Sequence, residues 1–134
     1  MIAAVLCPCE RVDAKNRPLA YADCCGRFID HFNDTTAPDS EYLMRSRYSA
    51  FALERADYLL ATWHSKTRPA MIEFEVGAKW LGLEVRDHKT TSADKSEVEF
   101  VARYRVDGRA VRIHERSLLW RENGRWFYVD GDQR

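Results

Sequence analysis

The four cysteines are the residues of this chain best suited to chemistry, and all of them lie in the first fifth of the sequence. They form two close pairs, Cys7 with Cys9 and Cys24 with Cys25. Two such pairs, separated by a loop, can bring four thiolates to one tetrahedral cation, and zinc is the natural occupant of that kind of site. Pro8 fixes its own φ and favours extended backbone at Cys7, which helps to turn both sulfurs inward. The spacing predicts a zinc site formed by Cys7, Cys9, Cys24 and Cys25.

Three alternatives to a four-cysteine zinc site remain open. Two disulfides would need an oxidising compartment, whereas we expect a cytoplasmic protein, and the adjacent Cys24 and Cys25 cannot bridge each other without strain. Four unliganded thiols are the second alternative, because the long polar loop of residues 10–20 makes the site harder to close. His31 could replace one sulfur, although a lone histidine near aromatic residues is more often solvated or hydrogen-bonded.

Four protein ligands would leave no open position for water, so the predicted role of the zinc is structural.

A second group of candidates surrounds Glu115. Strand periodicity over residues 111–119 places Glu115 on the same face as apolar side chains. A carboxylate in that setting needs a cation or hydrogen-bond donors, or its pKa rises toward values that suit proton transfer. Arg45, Arg47 and Arg103 are the candidate cations. The commoner interpretation is a structural Arg–Glu pair, because ion pairs of that kind also perturb pKa values.

His64 is the candidate partner of Glu115 in proton transfer. It follows Trp63 at the end of a predicted helix, where the helix dipole favours a protonated imidazole. An ordinary position at a helix end accounts for His64 equally simply. No catalytic residue is assigned from the sequence, and the predicted pocket residues are Arg47, Tyr48, His64, Trp80, Arg103 and Glu115.

The helices that must position these residues come first in the chain. Polar residues 34–40 form a linker that ends in two good N-capping residues, Asp39 and Ser40. Apolar side chains at helical spacing follow this linker and predict an amphipathic helix with an aromatic stripe. Two more helices are predicted downstream, over residues 57–63 and 71–80.

After residue 80 the apolar periodicity changes from helical to alternating. Apolar and polar residues alternate over residues 81–86 and again over residues 97–106. Asp107-Gly108 and Asn123-Gly124 are strong hairpin signals. Four strands joined chiefly by tight turns make an antiparallel meander, and helices followed by hairpins are typical of an α+β fold in which a curved sheet wraps around helices.

Length and charge limit the classes of function. The chain has 134 residues, enough for one core, and its 21 Lys+Arg balance 21 Asp+Glu. A neutral chain has no long-range attraction for a polyanion, and glutamates interrupt the arginines of the strands, so we do not expect nucleic-acid binding. No apolar run approaches the roughly 20 residues that a bilayer span requires. We therefore expect no membrane contact and a cytoplasmic location.

The sequence resembles known proteins in two respects. Cys7-Pro8-Cys9 followed by Tyr21-Ala22-Asp23-Cys24-Cys25-Gly26 is similar to the SEC-C motif, a small zinc-binding module known from the SecA translocation ATPase. Further blocks, in order along the chain, resemble the bacterial YchJ-like family: residues 43–51, 57–59, 62–64, 80–83, 98–103, 115–117 and 126–131. The resemblance implies a nuclear-transport-factor-two-like (NTF2-like, cystatin-like) cone with a SEC-C zinc motif, and it implies no activity.

Two features depart from the family pattern. Family members usually have a short Gly-Ser-Gly-Lys turn after the second cysteine, whereas residues 10–20 are longer, charged and free of glycine. Some members also carry a second SEC-C motif after the domain, and none follows here. We expect a SEC-C-like zinc-binding motif at residues 1–33 and an NTF2-like domain at residues 38–134.

The favoured hypothesis is a binding or adaptor module with a structural zinc site, in which the metal orders the loop of residues 10–20 and presents it to a protein partner. The alternative is a small-molecule enzyme or ligand carrier that uses the cone pocket, with Arg47 or Arg103 as an anion anchor. A homodimer through an exposed aromatic edge of the sheet is a further expectation.

Overall fold

The structure is a computed structural model that describes residues 5–134, so the first residues of the predicted 1–33 motif lie outside the described part. A 3-10 turn (Tyr21–Asp23) precedes three helices, and four strands follow. The helices are α1 (Gly26–Ile29), α2 (Ser40–Ala52) and α3 (Ala56–Ala61), and the strands are β1 (Lys79–Ser92), β2 (Lys95–Val106), β3 (Arg109–Glu122) and β4 (Arg125–Gln133). This order confirms the α+β class.

The strands form one antiparallel sheet in the order β1-β2-β3-β4, which is the predicted meander. Asp107 and Gly108 have φ of 52° and 73°, and Asn123 and Gly124 have φ of 51° and 78°. Two consecutive positive φ values match the right-handed twist of hairpin strands, and Asp-Gly and Asn-Gly tolerate them at low cost. The two turns therefore fix the register of β3 against both of its neighbours.

Helix α2 lies against the sheet and carries Arg47 and Tyr48 of the predicted pocket. It begins after Asp39, whose Oδ1 accepts a hydrogen bond from the backbone N–H of Tyr42 at 2.9 Å, as the capping prediction requires. Most of α2 is buried because the sheet covers one side and the N-terminal segment and α3 cover the others.

The helix predicted over residues 71–80 is wrong. Residues 71–78 form no helix and residues 79–80 begin β1; Ile72 and Phe74 are half-buried between exposed neighbours, which is a period of two. Phe74 packs edge-on against Phe51 at a centroid distance of 6.2 Å, and Gly77 adopts a positive φ of 79° at the turn into β1. Tertiary contacts and a glycine turn thus override a weak helical pattern.

The N-terminal segment, residues 5–33, is named the finger here. Its chain doubles back in an irregular hairpin held by antiparallel bridges between Leu6 and Ala20 and between Val12 and Pro18. At the tip, Oδ1 of Asp13 accepts hydrogen bonds from two backbone N–H groups, those of Lys15 (2.8 Å) and Arg17 (3.0 Å). The glycine-free loop therefore closes through an aspartate turn.

Two apolar clusters form the core. One joins the four cysteines to Phe28, Ile29, Tyr48, Ala50, Tyr58, Leu59 and Ala102. The other lies under the opposite half of the sheet and contains Ala37, Leu43, Met44, Val98, Leu119 and Trp126. The finger therefore shares one core with α2, α3 and β2. Within residues 5–134, no helix has the length and apolar character needed to cross a bilayer.

Candidate functional site

The four cysteine side chains meet where the finger packs on α2. Their sulfur atoms all lie within 4.8 Å of one another, and Sγ of Cys9 is 3.6 Å from Sγ of both Cys7 and Cys24. All four side chains are buried and carry free thiols, so the disulfide alternative does not describe this structure. We call this group the cysteine cluster. Its four sulfurs could bind a single metal ion.

Local backbone structure aims both pairs of sulfurs at one point. On the first limb, the N–H of Glu10 donates to the carbonyl of Cys7 at 3.1 Å, which closes a turn around Pro8 and Cys9. On the second limb, Cys25 is the N-cap of α1, and the N–H of Arg27 donates to the carbonyl of Cys24 at 3.2 Å. A proline turn and a helix start therefore direct the two pairs of sulfurs toward one point.

The electrostatics of the cysteine cluster favour a cation. A hydrogen bond with Cys24, assisted by Cys25, lowers the pKa of Cys7 well below its ordinary value of 9.0. The hydrogen bond that Cys25 makes with Cys24 acts in the opposite direction and raises the pKa of Cys25. The hydrogen bond with Cys25 also lowers the pKa of Cys24, to about 7, whereas the hydrogen bond with Cys24 raises the pKa of Cys9. Four thiolates can coexist at this spacing only around a positive charge, because an opposite charge lowers a thiol pKa.

Helix α2 supplies polar contacts to the cysteine cluster. Oγ of Ser49 lies 3.5 Å from Sγ of Cys7, and Nη1 of Arg45 donates to the carbonyl of Cys9 at 3.3 Å. His31 is exposed and is not among the clustered ligand atoms. The alternative in which a histidine replaces one sulfur therefore has no support from the geometry.

A cavity of about 180 Å³ lies between α2 and the concave face of the sheet. Phe100 and Ala102 of β2 are paired with Glu115 and Ile113 of β3, and all four side chains face this space. The remaining lining residues are Met44, Arg47, Tyr48, Phe51, Trp63, Trp80, Leu83 and Tyr128. The structure thus places four predicted pocket residues together, namely Arg47, Tyr48, Trp80 and Glu115.

The assignment of Arg103 and His64 to the pocket needs correction. Arg103 is exposed; it follows Ala102, which lines the cavity, and successive side chains of a strand point to opposite faces. His64 is buried outside the cavity, where its Nε2 lies 2.8 Å from Oε1 of Glu122 and its ring packs against Trp120. A proton-transfer pair of His64 with Glu115 therefore has no geometric basis.

Glu115 is held by neutral donors rather than by an arginine. Its carboxylate accepts hydrogen bonds from Ser117 Oγ at 2.6 Å, Tyr128 OH at 3.3 Å and Gln133 Nε2 at 2.8 Å. The structure describes no salt bridge between Glu115 and Arg47. The predicted structural Arg–Glu pair is thus replaced by a hydroxyl and amide cage.

The sequence interpretation also missed several residues around these sites. Trp63 and Tyr128 pack edge-on at 5.0 Å and form one wall of the cavity. Tyr128 lies in the strand that the Asn123-Gly124 turn signal predicts, and this position in β4 was the available sequence signal for a residue facing the cavity. Trp63 lies beyond the end of α3, and its position depends on a parallel bridge to Tyr128 that no local pattern encodes.

One arrangement resembles a hydrolytic triad but is inaccessible. Oγ of Ser40 lies 2.7 Å from Nε2 of His88, and Nδ1 of His88 lies 3.9 Å from Glu41. His88 is half-buried. Ser40 is fully buried and also contacts Ser96 at 2.6 Å. A nucleophile must reach its substrate, and the buried Ser40 does not. The hydrogen bonds of Ser40 to His88 and Ser96 instead tie α2 to the sheet.

The chain is similar in sequence to a known family of bacterial proteins. The profile of the family described as "YchJ, middle NTF2-like domain" matches residues 39–131. A UPF0225 protein of Polaromonas sp. (strain JS666) is 61% identical over 129 residues, covering 96% of this chain and 93% of that protein. The chain belongs to the UPF0225 (YchJ-like) family. A UPF0225 protein of Bordetella pertussis is 50% identical, with 96% of this chain and 92% of that protein covered.

Two solved structures agree with the UPF0225 assignment. A SEC-C motif-containing protein from Psychrobacter arcticus has a TM-score of 0.77 and 29% identity over 93% of this chain and 80% of that one. A SEC-C motif-containing protein from Rhodopseudomonas palustris has a TM-score of 0.74 and 31% identity over 92% of this chain and 97% of that one. The NTF2-like fold inferred from the resemblance is confirmed.

Proposed function

We propose that this UPF0225 chain is a binding module whose cysteine cluster holds a structural zinc ion. The observation that carries the proposal is the convergence of four buried sulfurs within 4.8 Å. Zinc–sulfur bonds of 2.3 Å in a regular tetrahedron would place neighbouring sulfurs about 3.8 Å apart. The 3.6 Å separations of Cys9 from Cys7 and Cys24 are close to that spacing.

The donor set supports zinc over harder cations and a structural role over a hydrolytic one. Thiolates are soft ligands, which select zinc or iron–sulfur chemistry rather than magnesium or calcium. Four protein sulfurs fill a tetrahedral zinc completely, so no position is left for a water molecule to be activated. Free thiols are also the state expected in a reducing compartment, which agrees with the proposed cytoplasmic location.

The proposed partner is a protein that docks on the finger. The hairpin leaves Leu6 and Val12 exposed, with 58% and 42% of each residue's surface accessible, beside the charged tip that Asp13 and Arg17 close. A metal that ties both ends of this hairpin to the core would fix its shape before binding, and preorganisation lowers the cost of association. The division into a 1–33 motif and a 38–134 domain stays a prediction, as does the homodimer.

The zinc proposal is tested by metal analysis and by amide spectra of the full chain. Native mass spectrometry should give one zinc per chain, and a chelator should change the ¹H–¹⁵N resonances of residues 5–30. Cys9→Ser should lose the metal and loosen the finger, because three thiolates bind zinc less tightly than four. His31→Ala is the matched control and should keep it, since His31 lies outside the cysteine cluster. Unchanged finger resonances after chelation would refute the zinc site.

A further inference from the structure

Arg47 is a buried cation that forms no salt bridge with the described residues, although Glu115 lines the same cavity. Its side chain belongs to a residue only 3% exposed, and its Nη1 donates to the carbonyl of Leu59 at 2.8 Å and to Oγ1 of Thr62 at 2.7 Å. None of the ion pairs in residues 5–134 includes Arg47. Buried charges are ordinarily paired, because desolvation without compensation is costly.

The charge of Arg47 persists at neutral pH. Burial lowers the pKa of the guanidinium to about 10, which leaves it protonated under physiological conditions. Only Nη1 has acceptors among the described residues. The other guanidinium N–H groups belong to a side chain that lines the cavity, and Arg is suited to bind a planar carboxylate through two parallel hydrogen bonds.

The rest of the cavity is built for an aromatic body. The guanidinium carbon of Arg47 lies 5.1 Å from the ring centroid of Trp63 and 4.7 Å from that of Tyr128, so an aromatic wall adjoins the charge. Phe100 and Trp80 line the same space. The volume of about 180 Å³ is adequate for one ring with a small substituent, since an engineered apolar cavity of about 150 Å³ holds benzene.

We propose that this cavity binds a small aromatic monocarboxylate of about the size of benzoate. The carboxylate pairs with the unused N–H groups of Arg47, and the ring packs among Trp63, Tyr128 and Phe100. Glu115, whose own charge is compensated by three neutral donors, sets the selectivity. Glu115 repels every negative charge in the cavity, and among the described residues the lining offers only Arg47 as a cation to offset that repulsion, so dicarboxylates and phosphate esters should bind more weakly than monocarboxylates. The site is separate from the proposed zinc centre and does not depend on it.

The four tryptophans provide an internal readout of binding. Trp63 and Trp80 line the cavity, whereas Trp120 and Trp126 do not. In the zinc-supplemented full chain, titration with benzoate should shift the indole N–H resonances of Trp63 and Trp80 saturably and leave the other two in place. Benzyl alcohol, which has the same ring without a charge, should bind about tenfold more weakly, because it loses the charge-assisted bonds. Phthalate should bind at least as weakly as benzyl alcohol.

Two variants separate a ligand site from a structural arginine. Arg47→Gln should remove the preference for benzoate over benzyl alcohol. That change also removes the hydrogen bonds of Arg47 to Leu59 and Thr62, so a second variant leaves Arg47 in place. Ala102→Leu fills the cavity from β2. It should abolish binding of both probes and leave the resonances of the sheet unchanged. Equal affinity for benzoate and benzyl alcohol in the unmodified chain, unshifted Trp63 and Trp80 resonances, or unaltered benzoate binding by Ala102→Leu would each overturn the proposal.

Discussion

Ser49 offers a way to test the metal centre without removing a ligand. Its hydroxyl lies 3.5 Å from Sγ of Cys7 and is fully buried. If Cys7 binds zinc as a thiolate, the hydroxyl must donate to the sulfur, since a thiolate has no proton to give. A donor of this kind orients the ligand and stabilises its charge. Ser49→Ala removes that donor and leaves all four sulfurs in place.

The expected effect follows from the geometry of this contact. Loss of a hydrogen-bond partner behind a metal ligand ordinarily lowers metal affinity by about 10 to 100-fold. The Ser49–Cys7 contact is a single, fairly long hydrogen bond to sulfur, so the lower end applies. We expect Ser49→Ala to weaken zinc binding about tenfold, which corresponds to about 1.4 kcal/mol. Competition against a chromophoric zinc chelator measures this ratio directly.

Ser46 provides the matched control for Ser49. It is also a fully buried serine of α2, but its hydroxyl contacts Tyr58 OH at 2.7 Å and donates to the carbonyl of Leu43 at 2.8 Å. Ser46→Ala leaves the Tyr58 hydroxyl without this partner and should lower the free energy of unfolding by about 1 to 3 kcal/mol, with zinc affinity unchanged. Zinc affinity within twofold of the unmodified chain for Ser49→Ala, or an equal loss in both variants, would refute a Ser49–thiolate hydrogen bond.

Two further predictions concern stability. Leu59→Ala should lower the free energy of unfolding by about 3 kcal/mol or more in urea denaturation, because Leu59 is fully buried in the core beside the cysteine cluster. As a control, Leu53→Ala at an exposed position should change the free energy of unfolding by at most about 0.5 kcal/mol. Equal losses in the two variants would contradict the burial of Leu59 in the core. Hydrogen bonds from His114 and then Arg116 lower the pKa of Glu99 below its ordinary 4.5, so Glu99 stabilises the fold above that pH and the contribution is lost as pH falls through the depressed value. Glu99→Gln should therefore flatten the decline in urea midpoint below about pH 4.5, and a decline of unchanged slope would contradict this role.

The fold was largely predictable from local signals. The alternating pattern and two turn dipeptides were enough for β2, β3 and β4, because hairpin turns and the strand period both act over short distances. The segment at residues 71–80 was not predictable in the same way. Its apolar residues Ile72 and Phe74 face Phe51 and the sheet, and that contact joins positions far apart in sequence.

In the candidate sites, too, short-range patterns were predictable and contacts between distant positions were not. Convergence of the cysteines followed from their spacing, and alternation along β3 placed Glu115 on the inner face. Alternation along β2 also placed Arg103 on the outer face, so its assignment to the pocket disregarded a signal that was available. The assignment of His64 to the pocket was wrong for another reason. The backbone N–H of His64 donates to the carbonyl of Tyr128 at 2.7 Å, and this hydrogen bond to β4 fixes a position of His64 that helix periodicity does not determine.

Helix α2 is the structural element that the two proposed sites share. Ser49 and Arg45 contact the cysteine cluster, while Arg47 lines the cavity, and Tyr48 both packs in the core with the cysteines and lines the cavity. Burial raises the pKa of Tyr48 to about 12, so its ring stays neutral and contributes packing rather than charge to both sites. The position of this helix is one route by which zinc and a cavity ligand can affect each other, and Ala102 of β2, which packs with the cysteines and lines the cavity, is another. Because binding free energies are reciprocal, the factor by which zinc alters benzoate affinity must equal the factor by which benzoate alters zinc affinity.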